Sequence, residues 1–126
     1  MLFRSKGGLY EAIMVRALAH RPPVDFSSRA DLPEIPARIL EDANKKRPFL
    51  RLLMWEALAS EERPVMAEAS RQAHSEETVR EIEKARDQGF LDPSLPVRYV
   101  GLAMMAMVLF PFLLPQVTRM MTGLNP

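Results

Sequence analysis

Leu2-Phe3-Arg4-Ser5-Lys6-Gly7-Gly8-Leu9-Tyr10-Glu11-Ala12-Ile13 opens the chain and decides how the rest is read. Ser5 is a helix N-cap by type, because its hydroxyl can accept a backbone N–H that the first turn leaves unpaired. Behind it Leu9, Ile13, Val15, Ala17 and Leu18 recur near helical spacing, which predicts a helix over 6–19. The start is unusual. An apolar pair, Leu2-Phe3, runs straight into a capped helix, as at the back edge of a larger motif. Lys6 puts a cation at the positive end of the helix dipole, and the adjacent glycines weaken the first turn. A phosphate at that end would meet unpaired N–H groups, the dipole and the lysine together, although a solvated surface lysine is the simpler reading of the residue alone.

Phe3, Ser5, Lys6, Leu9 and Tyr10 in this arrangement resemble a segment of tetracycline-repressor-like (TetR-family) transcriptional regulators. There a Phe-x-Ser-Lys-x-x-Leu stretch opens the long helix that connects the DNA-binding module to the regulatory domain. Gly7 departs from that pattern, where the family often has Glu. The resemblance implies that residues 1–5 are a remnant of the DNA-binding module and 6–126 a ligand-binding and dimerisation domain. It also implies that Lys6 touches DNA phosphate and that the recognition helix lies before Met1. Operator DNA is then reached only through that missing module.

A chain of 126 residues is one domain with room for a core. A formal charge of +1 suits neither a nucleic-acid coat nor a membrane-surface protein. The absence of cysteine excludes disulfides, a thiolate nucleophile and a Cys-ligated zinc, and fits a cytoplasmic protein. Charges at Arg4, Lys6, Glu11 and Arg16 exclude a secretory signal at the start.

Along the chain, Pro22-Pro23 mark a loop, and Asp31-Leu32-Pro33-Glu34-Ile35-Pro36 leads into a second helix that becomes regular near Pro36. Ile35, Ile39, Leu40 and Ala43 form its apolar stripe, and Glu41 and Lys45 an i,i+4 pair on the wet side. A third helix, over 48–60, carries Phe49, Leu50, Leu52, Leu53, Met54, Trp55, Ala57 and Leu58 all the way round. Such a pattern predicts burial on every side, so this helix is expected to be the central rod, with Arg51 and Glu56 paired or reaching solvent. The run from Arg51 to Leu58 also resembles the central helix of many TetR-family ligand domains. A fourth helix is expected over 64–88, with Glu76 four residues before Arg80, Gly89 as a left-handed cap and Phe90 as its apolar partner.

The last stretch, 97–121, is the most apolar, with no side-chain charge between Arg98 and Arg119. About 20 such residues is the length of a membrane span, but Pro111 and Pro115 and the lack of flanking belts argue for a helix buried between subunits. Val108-Leu109-Phe110-Pro111-Phe112-Leu113-Leu114 resembles the dimer-forming helix of TetR-family proteins. The family usually follows it with one more helix, which is not expected here.

No catalytic or metal pattern stands out: His20 and His74 lie apart, and Ser5, Ser60 and Ser94 read as caps. No enzyme activity, cofactor or metal is expected. Nine methionines are the distinctive feature, and methionine suits an adaptable apolar pocket as well as ordinary packing. The candidate ligand contacts are Met14, Leu18, Met54, Trp55, Leu58, Met66, Met104, Met107 and Phe110. The candidate dimer contacts are Tyr99, Leu102, Met105, Phe112, Val117 and Met120. The expected protein is all-α, a helical bundle of about five helices like a TetR C-terminal regulatory domain. Its expected partners are a second copy of itself and a small apolar or aromatic effector, with no membrane. The alternative is a free-standing dimeric helical interaction module with neither ligand nor DNA role.

Overall fold

The computed structural model of the protein describes residues 5–19, 28–59 and 65–124, and of Leu18 only the backbone. The Leu2-Phe3 pair, the Pro22-Pro23 loop, His20, the turn at 60–64 and the Leu18 side chain therefore lie outside the described residues. Within them the chain forms six α-helices and no strand: α1 (Lys6–Ala19), α2 (Ile35–Lys45), α3 (Arg47–Ala59), α4 (Glu68–Asp87), α5 (Val97–Leu113) and α6 (Pro115–Thr122). A short 3-10 turn, Leu32–Glu34, precedes α2.

Local chemistry places the ends. The Ser5 hydroxyl accepts the Gly8 N–H at 3.1 Å, and the Ser5 carbonyl accepts the first helical bond from Leu9. At the end of α4, Gly89 adopts φ +80, its N–H reaches the Arg86 carbonyl and the Phe90 N–H reaches that of Ala85. This is a Schellman closure, and it turns Phe90 back onto the core. The Glu41–Lys45 pair forms as expected, at 2.8 Å. Glu76 does not pair with Arg80. Its two oxygens instead accept both terminal nitrogens of Arg98 at 2.9 and 3.0 Å, so the pair ties α4 to α5. A fork-to-fork geometry across two helices outcompetes a single contact along one.

The central rod is α5, not α3. It touches α2, α3, α4 and α6, while α1 packs on α3 and α4 only. One apolar cluster gathers Ile35, Ile82, Ala85 and Val97, with Val79, Phe90 and Met104 against it. A second gathers Ala43, Leu50 and Val108, with Leu53, Leu109 and Phe112. In α3 only Leu50 is buried, and Trp55 and Leu58 are 70% and 81% exposed. The expectation that α3 is covered on every side thus fails within one chain, because a helix of 13 residues at the edge of a small bundle meets neighbours on one side alone.

The 97–121 stretch is two helices. Pro115 disfavours the helical conformation at the residue before it, and Leu114 sits at φ −131, ψ 64. The axes of α5 and α6 then differ by 98°. The single helix expected over 97–121 is therefore divided in two, and among the described residues no helix follows α6. Among the described residues no single helix is long and apolar enough to cross a membrane.

Ile82 is 1% exposed at the centre of the first cluster. Ile82→Ala is expected to lower unfolding free energy by about 2–5 kcal/mol, read from denaturant melts. Gly89→Ala, which forces a left-handed alanine, is expected to lower it by about 1 kcal/mol.

Candidate functional site

Three helices meet at a polar junction. The Tyr10 hydroxyl on α1 donates to the Leu52 carbonyl on α3 at 3.0 Å. One turn further along α3, Glu56 accepts Arg71 Nη1 on α4 at 2.7 Å to each oxygen, and its Oε1 also accepts the Met66 backbone N–H at 3.2 Å. Both side chains of this ion pair are largely shielded, so the expectation that Glu56 is paired holds. Burial first, and then the nearby Glu56 carboxylate, pushes the Tyr10 hydroxyl above its ordinary value. Next to the pair, Ala67 holds φ 52, a left-handed conformation that costs an alanine about 1–2 kcal/mol. Its neighbour Met66 is fixed on both sides, by Glu56 at the N–H and by Arg71 at the carbonyl. The junction therefore holds a strained turn in place and locks α1 to the body of the domain.

Of the expected ligand contacts, Met14 is fully buried on α1 and Met54, Met66 and Met104 are partly buried. Met66 lies beside Gly7, where an added Cβ would stand 3.4 Å from its methyl group. Met104 belongs to the packing around Ile82. Trp55, Leu58, Met107 and Phe110 face solvent. Among the described residues α1 packs on α3 and α4 and not on α5. Lys6 is exposed at the start of α1. No group of three or more His, Asp or Glu among the described residues could hold a metal ion.

Of the expected dimer contacts, Tyr99, Leu102 and Met120 are exposed, Met105 and Val117 half-buried, and Phe112 packs on the second core cluster. The outward face of α5 is instead a continuous apolar stripe: Tyr99, Leu102, Ala103, Ala106, Met107, Phe110 and then Leu114. Their i, i+3, i+4 spacing puts them on one side, and Met120, Met121 and Leu124 extend the surface along and beyond α6. Sequence reasoning placed Met107 and Phe110 on the ligand side, because periodicity cannot tell two apolar faces of one helix apart.

A concavity of 140 Å³ opens where α3 meets the α5–α6 bend, lined by Arg47, Leu50, Arg51, Pro111, Phe112 and Pro115. Arg47 Nε donates to Asn44 Oδ1 at 2.8 Å, and its guanidinium carbon lies 5.3 Å from the centre of the Phe112 ring. Sequence reasoning missed this place. Its one signal was Arg47 and Arg51, like charges four apart with no acid beside them.

Comparison with known proteins gives the family of this all-helical domain. The tetracyclin repressor-like C-terminal domain family matches residues 31–125, and the chain belongs to that family. Domains of this family are generally dimeric, bind small-molecule effectors and are not enzymes. The match spans α2 to α6 and leaves α1 outside it. No curated protein matches the chain, and no solved structure does.

Ala67→Gly removes the left-handed penalty and is expected to raise stability by about 1 kcal/mol. A Tyr10 pKa raised by folding contributes stability below the unfolded value of 10.0 and loses it as pH rises through the folded value. Unfolding free energy is therefore expected to fall above about pH 10, and Tyr10→Phe to flatten that part of the profile.

Proposed function

We propose that this chain is the effector-sensing and dimerisation part of a TetR-type transcriptional repressor working in the cytoplasm. The observation that carries the reading is the family match over 31–125, with α1 fixed to the matched body through Tyr10 and the buried Met14. In this reading α1 connects to a DNA-reading module ahead of residue 6, with Lys6 at the DNA backbone. Two copies join through the outward face of α5, which supports a symmetric homodimer because an apolar stripe of that length is costly to leave in water. A small apolar or aromatic effector binds among the methionine-rich helices and shifts α1, which changes the spacing of the two DNA-reading modules. The coding sequence immediately before residue 1 tests the regulator: a helix-turn-helix pattern supports it, and an unrelated fold there overturns it.

One observation favours a second reading, a dimeric helical interaction module without ligand. Trp55, Leu58 and Met107 stand in solvent and do not surround a cavity. Titrating Trp55 fluorescence with a panel of hydrophobic and aromatic compounds separates the two, since no response to any of them would leave the module.

For the dimer, sedimentation at micromolar concentration is expected to give a two-chain species. Met107→Glu, which puts a charge in the middle of the stripe, is expected to weaken association at least about tenfold. A monomeric parent chain would remove the dimer from the proposal.

A further inference from the structure

The concavity at the α5–α6 bend lies apart from the junction of α1, α3 and α4 and from the outward stripe. Two of its six lining residues are arginines and no carboxylate lines it. Arg51 makes no hydrogen bond or ion pair among the described residues, and Arg47 makes only a neutral bond to Asn44 and a ring contact with Phe112. The neighbouring cations are accounted for differently: Lys45 pairs with Glu41 and Lys46 with Asp42. Like charges four apart on a helix repel, so Arg47 and Arg51 together disfavour the place they occupy unless an anion joins them. The remaining walls, Leu50, Pro111, Phe112 and Pro115, are apolar and rigid.

We propose that this concavity binds a small organic carboxylate, its acid group facing the two guanidinium groups and its apolar body resting on Leu50, Pro111 and Phe112. The planar guanidinium fork matches a carboxylate in two parallel hydrogen bonds. A wholly apolar ligand would leave both charges unanswered. An inorganic anion would leave the apolar walls in water. The recess is small, 140 Å³, and open to solvent on one side, which suits a single ring or a short chain. The inference goes beyond the regulator reading and does not rest on it.

Benzoate is the probe, with benzamide and inorganic phosphate as comparators, titrated into the full chain and followed by backbone amide NMR. Saturable shifts centred on Arg47, Arg51 and Phe112 are expected with benzoate, and binding at least about tenfold weaker for either comparator. Arg51→Gln removes an exposed side chain with no partner among the described residues, so the fold should persist while benzoate affinity falls about tenfold or more. Arg51→Lys should restore part of it. Benzamide binding as tightly as benzoate would overturn the acid half of the proposal, and phosphate binding as tightly would overturn the apolar half. Absence of shifts, or an affinity unchanged in both Arg51→Gln and Arg47→Gln, would overturn the site. Because the readout is binding without DNA, any of those failures leaves the regulator reading as it stands.

Discussion

The rest of the structure depends on one imbalance: α5 has more apolar surface than a chain of this size can cover. Its inner residues Val97, Met104 and Val108 join both core clusters, and α2, α3, α4 and α6 all touch it. Yet the opposite side, from Tyr99 to Phe110, is left in solvent with no charge to soften it. A monomer can tolerate scattered apolar residues, but not a continuous helical stripe without some tendency to associate. The same helix that joins both core clusters also carries the exposed apolar stripe.

The chain's prolines shape that surface. Leu114 leaves the helical conformation before Pro115, and the apolar run bends there by 98°. Without the bend, 97–121 would be one long rod and the concavity between Arg47, Phe112 and Pro115 would not exist. Pro111 sits inside the last turns of α5, and it too lines that concavity. Residues that read in the sequence only as helix breakers therefore help to make a recess of the domain.

What the sequence made legible was local. The Ser5 cap, the Gly89–Phe90 closure and the Glu41–Lys45 pair are decided by residues within a few positions of one another, and each is where its chemistry requires. Depth was not legible. Leu50 and Leu58 are the same residue type on one helix, yet one is buried and the other 81% exposed, because only the position of α5 decides between them. Glu76 illustrates the same limit: its partner Arg98 lies on another helix, and no local rule could prefer it to Arg80. The recess was invisible for that reason as well, since Arg47 and Phe112 stand about half the chain apart and are brought together by the packing of α3 on α5.

The helix mistaken for the core acquires a different importance once α5 takes that place. Among the described residues, α3 alone supplies side chains or carbonyls to both special regions of the domain. Arg47, Leu50 and Arg51 at its start line the recess, while Leu52 and Glu56 further along hold Tyr10 of α1 and Arg71 of α4. A 13-residue helix is about 20 Å long and stiff, so a shift at one end must appear at the other. The far end is also where Ala67 is held in a left-handed conformation by contacts from Glu56 and Arg71 to Met66. At the polar junction the hydrogen bonds to Met66 and the strain at Ala67 therefore oppose each other, and the bonds hold the turn in place.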